Sequence, residues 1–264
     1  PTTDSSVYST AISVRGDGTS MTIKAIAVAS GMDDSEMASG TFTIAYDETT
    51  DPDPPAVPDL PSASDYDHSV TNTAADNAVT QMEFGTNGKD LIAQYAGTAT
   101  TTQYAEGSED DDWILQVGGS ATTTQQIMTG DGDDIAYQFA GTAIDTMSIT
   151  GGQGTQTLIQ TGGDGNDIMN ISGETGSATI EQYGMAGADT MGVSGNSGDD
   201  TIEMYGGAGD DVMTYTCSAG LDDATLNGGD GDDTVIINMI SGSNLTLLDA
   251  DGNTLYSSGS GDTT

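Results

Sequence analysis

Positive charge is almost missing from this chain. Of 264 residues only Arg15, Lys24 and Lys89 are basic, against 42 acidic ones, and the formal net charge is -39. A surface of that sign repels the phosphates of nucleic acid and of anionic membranes, so neither is a partner, and cations are the natural ones. Histidine is confined to His68, which leaves His-based triads and zinc sites almost nothing to draw on. Cys217 is the one cysteine, so no disulfide forms within the chain; at the start of a turn it fits a small apolar filler better than a link between molecules. No apolar run is long enough to span a bilayer, which argues against membrane insertion. The chain opens on Pro1 without a methionine, and the expectation is that any export signal has already been removed or is left out of this sequence.

What the chain has instead is aspartate, glycine and a ruler. Its acidic residues are 34 Asp and 8 Glu, and the Asp gather in glycine-rich turns while the intervening segments carry little charge. A salt-adapted surface is also acidic and poor in lysine, but it has no reason to concentrate carboxylates in turns, so the distribution favours bound cations. Asp90, Asp112, Asp134, Gln156, Asp167, Asp189, Asp200, Asp211 and Asp233 are separated by steps of 11 or 22 residues. A fixed period of this kind predicts stacked repeats. The length allows one large domain or two ordinary ones, and is enough to bury a sizeable core.

Gly162 to Asn170 and Gly228 to Ile236 match the unit G-G-x-G-x-D-x-U-x residue for residue, and Gly206 to Asp211 fits its turn equally well. Looser copies run from Gly130 to Asp134, Gly184 to Asp189 and Gly195 to Asp200. In these motifs, over roughly its second half, the chain resembles the RTX (haemolysin-type) calcium-binding family, with a unit of 11 residues where the family has nine. The resemblance implies an RTX-like β-roll with calcium between vertically adjacent turns, held by glycine-loop carbonyls and by the last Asp of each turn. It pairs Asp167 with Asp189, Asp189 with Asp211, Asp211 with Asp233, and Asp112 with Asp134, while Asp131, Asp164 and Asp230 add carboxylates from the third place of the turn. The candidate metal residues are completed by Asp90, Asp110, Asp133, Asp199, Asp200, Asp210 and Asp232. Calcium suits such turns because it accepts carboxylate and carbonyl oxygen together.

The expected fold is all-β: a parallel β-solenoid of about 22 residues per coil, preceded by a small N-terminal β module. Residues 1–50 read as strands, Val7 to Val14 and Thr19 to Ser30 flanking a turn at Arg15-Gly16-Asp17-Gly18, then Gly40 to Tyr46. The integrin-type Arg-Gly-Asp tripeptide there is better explained by the turn. Residues 51–64, with five prolines between Pro52 and Pro61, form a semi-rigid spacer. Residues 65–244 form the solenoid, and 245–264 a C-terminal hairpin cap and tail. Asp249, Asp251 and Asn253 resemble the start of an EF-hand loop, but position 260 is Ser where the closing glutamate belongs, so the turn reading stands. Asn170-Ile171-Ser172 and Asn244-Leu245-Thr246 are sequons, meaningful only in a host that glycosylates.

The ruler exposes two edges, one at 90, 112, 134, 156, 178, 200, 222 and 244, the other at 101, 123, 145, 167, 189, 211 and 233. It also predicts the interior. Ile92, Ile114, Ala136, Leu158, Ile180 and Ile202 form one aliphatic column, and Ile127, Ile149, Ile171, Val193, Tyr215 and Ile237 another. Gln94, Gln116, Gln138, Gln160 and Gln182 form a third, opposite Gln81, Gln103, Gln125, Met147, Met169, Met191 and Met213. Glutamine fits inside if its amides bond along the column. The flipped alternative turns Tyr95, Val117, Phe139, Tyr183 and Tyr205 inward; the Met column favours the buried ladder.

Two carboxylates about 4 Å apart repel by about 1 kcal/mol in water and about 4 in a partly screened site, so the array is expected to be disordered without calcium and to fold on binding it. A calcium-dependent polysaccharide lyase needs a basic residue to take a proton, and the array offers only Lys89; paired Asp for glycoside hydrolysis are poor acids once engaged with calcium. The preferred reading is a non-enzymatic, extracellular or cell-surface structural protein, secreted and stabilised by several calcium ions. It would be a self-assembling subunit of a filament, surface layer or matrix, forming a homo-oligomer or polymer through the solenoid ends and the N-terminal module. The rival is a monomeric adhesin or ice-binding module using outward Thr102, Thr124, Thr146 and Thr190, although threonine is common on exposed strands anyway.

Overall fold

The computed structural model describes residues 20–25, 38–43, 53–74, 79–99, 101–173, 175–195, 197–217, 219–238, 244–248 and 254–257. Two antiparallel strands, β1 (Ser20–Ala25) and β2 (Ala38–Thr43), fall within the N-terminal module. The expected strand Val7 to Val14, the turn at Arg15 and the Asp249 to Asn253 turn lie outside the described residues. Residues 53–62 belong to no helix or strand, and a single 3-10 turn follows at Ala63–Asp65.

The rest is a parallel β-solenoid of about seven turns. One sheet has ten strands: β3 (His68–Thr73), β5 (Asp90–Tyr95), β7 (Trp113–Val117), β9 (Ile135–Phe139), β11 (Gln156–Asp164), β13 (Ala178–Ala186), β15 (Thr201–Ala208), β17 (Leu221–Asp230), β19 (Asn244–Leu248) and β20 (Thr254–Ser257). The facing sheet has eight: β4 (Val79–Phe84), β6 (Thr101–Ser108), β8 (Thr123–Gly130), β10 (Thr146–Thr150), β12 (Ile168–Ser172), β14 (Thr190–Ser194), β16 (Val212–Thr216) and β18 (Thr234–Asn238). The chain alternates between them, and from β5 to β18 each strand pairs in parallel with the one 22 residues earlier: Ile114 with Ile92, Met169 with Met147. The ruler fails at its last step. It sets 244 over 222, whereas Asn244 pairs with Leu221, so the connection into β19 carries one residue more than a coil. Because side chains alternate with a period of two, a one-residue slip exchanges which residues share a face. The expected hairpin then closes this end, β19 pairing antiparallel with β20.

Both aliphatic columns are interior, fully buried from Ile92 to Ile202 and from Ile127 to Tyr215, and partly buried at Ile237. The glutamines are interior too. Gln116 Nε2 donates to Gln94 Oε1 (2.7 Å), Gln138 to Gln116 (2.9 Å), Gln160 to Gln138 (2.7 Å) and Gln182 to Gln160 (2.7 Å). The second amide hydrogen crosses to the other sheet, as from Gln116 to the Gln126 carbonyl (2.9 Å) and from Gln138 to that of Ser148 (3.0 Å). Each amide therefore holds coil to coil and sheet to sheet, and no donor is left dry. The ladders stop where methionine takes over at Met147 and Met204, leaving Gln125 Oε1 and Gln182 Oε1 without partners. Tyr95, Val117, Phe139, Tyr183 and Tyr205 point outward, yet Phe139, Tyr183 and Tyr205 are buried there. The outer face of the ten-stranded sheet is itself largely apolar near its start.

Candidate functional site

At the two edges the last residue of every turn folds inward. Asp90, Asp112, Asp134, Gln156, Asp200 and Asp222 on one edge, and Asp145, Asp167, Asp189, Asp211 and Asp233 on the other, are buried. Most of these carboxylates cap the coil before their own. The N–H of Asp90 donates to Asp112 Oδ1 (2.8 Å), that of Asp112 to Asp134 (2.8 Å), and that of Ala178 to Asp200 (2.8 Å). On the second edge the N–H of Asp145 donates to Asp167 Oδ1 (2.7 Å), that of Asp167 to Asp189 (2.7 Å), that of Asp189 to Asp211 (2.7 Å) and that of Asp211 to Asp233 (2.9 Å). His68 heads the first edge, its Nδ1 3.2 Å from Asp90 Oδ1.

The residue before the last runs a second, outer ladder in the opposite direction. Asp111 Oδ1 accepts from the N–H of Asp133 (3.1 Å), Asp133 from Thr155 (2.8 Å), Asn166 from Ala188 (2.9 Å), Asp199 from Leu221 (2.8 Å) and Asp210 from Asp232 (3.0 Å). Asp110, Asp131, Asp133, Asp164, Asp199, Asp210, Asp230 and Asp232 are exposed on the turns rather than gathered around the buried row.

The second oxygen of each buried carboxylate separates the turns into two kinds. At Asp90 and Asp145 the N–H four residues earlier, from Thr86 (2.5 Å) and Gly141 (3.0 Å), donates to Oδ2. In the turns before Asp112, Asp167, Asp189 and Asp211 that earlier residue is left-handed: Ser108 at φ 114°, Gly163 at 93°, Met185 at 79°, Gly207 at 96°. There it pairs with the neighbouring coil, Met185 with Gly163 and Gly207 for example. Oδ2 of Asp112, Asp167, Asp189 and Asp211 is then buried with no hydrogen-bond partner. Asp134 escapes because Gln156, in the aspartate place of the next coil, donates its amide to Oδ2 (3.1 Å).

Glycine five residues before the Asp completes the arrangement. A Cβ on Gly162 would lie 2.9 Å from Asp167 Oδ2 and 2.6 Å from the Gly184 carbonyl oxygen of the next coil; Gly184 and Gly206 face their own aspartate and the following carbonyl in the same way. Carboxylate and carbonyl, both acceptors, thus face one CH₂ whose C–H groups are weak donors. Burial pushes Asp112 up to about 8 and Asp167, Asp189 and Asp211 up to about 7, the backbone N–H bonds opposing it; Asp134, with more donors, rises to about 6. A surplus of buried acceptors calls for a proton or a cation, and the donor set, all oxygen, suits a hard divalent ion. Among the described residues no three acidic, histidine or cysteine side chains converge. Beside each partnerless Oδ2 of Asp167, Asp189 and Asp211 the nearest further oxygens at the glycine are backbone carbonyls.

Sequence reasoning passed over Asp145, Asp222 and Asp111 as site residues. Asp145 and Asp222 stand on the 22-residue ruler, but the turns before them lack the glycine pattern. Asp222 Oδ2 accepts the buried hydroxyl of Tyr215 (2.7 Å), a bond no spacing foretells. Lys89, the one basic residue of the array, pairs with Asp111 at the surface (2.6 Å).

Against known proteins, the family model described as the chitobiase/beta-hexosaminidase C-terminal domain matches residues 1–39. No curated protein and no solved structure matches the chain.

Proposed function

We propose that the chain is a calcium-stabilised, non-enzymatic structural protein of the extracellular space or cell surface, whose solenoid acts as a stiff spacer in a filament, surface layer or matrix. The observation that carries this reading is the row of buried Oδ2 atoms on Asp112, Asp167, Asp189 and Asp211, each without a donor, those of Asp167, Asp189 and Asp211 in turns that resemble the RTX unit. Asp167, Asp189, Asp211 and Asp233 would hold ions between successive coils on one edge and Asp112 and Asp134 on the other, with carbonyls of the glycine turns completing the shells. Bound calcium would supply fixed positive charge where the fold otherwise stacks like charges about 4.8 Å apart. Extracellular calcium modules work at about 10⁻⁴ to 10⁻³ M, which suits sites built largely from backbone oxygen.

Lys89 is tied to Asp111 at the surface, which weighs against a proton-abstracting lyase. The match over residues 1–39 is to a domain named for glycosidases; in this reading it is an appended module. An adhesin or ice-binding role for exposed Thr102, Thr124, Thr146 and Thr190 is less favoured, since Ile168 stands in the same column between Thr146 and Thr190. Circular dichroism and calorimetric titration at pH 7.5 test the calcium reading: calcium should raise β content and melting temperature, and EGTA should reverse both. No bound calcium at millimolar concentration would end it. Electron microscopy of the calcium-loaded protein tests assembly, which monomers alone at high concentration would refute.

A further inference from the structure

We propose that the proline segment from Pro54 to Pro61 is a polyproline strap docked in an aromatic groove on the outer face of the ten-stranded sheet, across β5, β7 and β9. The first observation is burial on the wrong side of the sheet. In β6 and β8 buried and exposed residues alternate, as they must when one face meets the core and the other meets water. In β5 and β7 nearly every residue is buried. Leu91 is 2% exposed, Leu115 0% and Trp113 7%, although all three point away from the interior columns and belong to a separate apolar cluster with Phe139. A bare outer face looks different: on β4 of the other sheet Met82 is 53% and Phe84 55% exposed. Something therefore covers the face over β5 to β9. The apolar patch is densest there: farther along the same outer face Glu181 and Glu203 intervene at β13 and β15, beside the buried Tyr183 and Tyr205, which lie outside the cluster.

The second observation identifies the cover. Pro55, Pro58 and Pro61 are half-buried, as is Pro54 where the segment begins, whereas Ala56, Val57, Asp59, Leu60 and Ser62 are exposed. A period of three with proline at each buried step is that of a polyproline II helix, which has three residues per turn and needs no partner for its backbone. Such helices dock on aromatic grooves, and this cluster includes Trp113, Tyr137 and Phe139. Tyr66, just after the strap, is packed against the cluster and anchors one end. The reach suffices: eight residues span about 22 Å at about 3.1 Å per residue, and β3 to β11 spans about 19 Å at about 4.8 Å per strand. The strap would fix the N-terminal module to the flank of the solenoid, whether or not the turns hold calcium.

Trp113 is the only tryptophan and reports on the groove directly. In the full chain, replacing Pro55, Pro58 and Pro61 together by Ser should red-shift its emission and raise acrylamide quenching several-fold with far-UV circular dichroism unchanged; V57S/L60S, on the outward side, should change neither. A second measurement leaves the prolines' neighbours intact: a nitroxide on P58C should quench Trp113 at short range. Trp113 still shielded in the triple variant, or unquenched by the nitroxide, would mean that another part of the chain or a second copy covers the face, and would overturn the strap.

Discussion

The backbone N–H of Asp189 donates to Oδ1 of Asp211 across 2.7 Å, and Oδ2 of that same Asp211 is buried with no hydrogen-bond partner. Half of the carboxylate thus holds two coils together while the other half opposes folding when ionised. Which half prevails depends on protons and cations.

Acid should stabilise the metal-free chain. The folded values of Asp112, Asp167, Asp189 and Asp211, about 7 to 8, stand above the ordinary 3.8, so the folded state binds more protons than the unfolded one between these limits. Their contribution is fully present below about pH 4 and is lost as pH rises through 7 to 8. In EGTA the melting temperature should fall from pH 5 to pH 8.5, and calcium should restore it at pH 8.5 while doing little at pH 5. A flat profile in EGTA would show that the buried row does not control stability.

Asp189→Asn removes the charge but keeps an acceptor for the N–H of Asp167, and turns the surplus oxygen into a donor near the Gly206 carbonyl. Without metal at pH 8 the variant should be more stable than the parent, by on the order of 4 kcal/mol from a displacement of about three pH units. With calcium the advantage should shrink or reverse. Urea titration in both conditions separates the two effects.

Gly206→Ala should be among the most damaging single changes. Its Cβ would meet Asp211 Oδ2 at 2.5 Å and the Gly228 carbonyl, and backbone cannot move aside. A loss of roughly 3 kcal/mol or more is expected in denaturant titration, with or without calcium.

The glutamine ladder predicts an asymmetry. Gln138→Leu, close in volume, strands the Gln116 Oε1, the Ser148 carbonyl and the Gln160 amide, and should cost at least about 2 kcal/mol. Met204→Gln places a polar side chain at a fully buried site, yet should be nearly neutral, because its amide would donate to the partnerless Gln182 Oε1. Thermal melts of the two variants decide it.

Much of this fold was legible in the sequence because a solenoid repeats its physics. Ile92, Gln94 and Asp112 each recur in kind at 22-residue steps, so period, interior columns and buried glutamines followed from counting. The glycine turns pointed to the acidic edges. What counting could not reach was non-repeating or non-local. The slip at Asn244 comes from one added residue, the Tyr215 to Asp222 bond from a single substitution in an aliphatic column, and the burial of Leu115 from a segment outside the array. The separation of carboxylates into satisfied and unsatisfied oxygens was also hidden, since it turns on the backbone conformation at Ser108 and Met185, where no glycine announces a positive φ.

The constant 22-residue register also bears on how such a molecule changes over generations. Every coil offers the next the same backbone ladder that it received from the last, so duplication or loss of one unit within a run of like coils preserves the register and alters reach, by about 4.8 Å a copy. Selection can tune length without redesigning anything, until the slipped final strand brings the count to a stop.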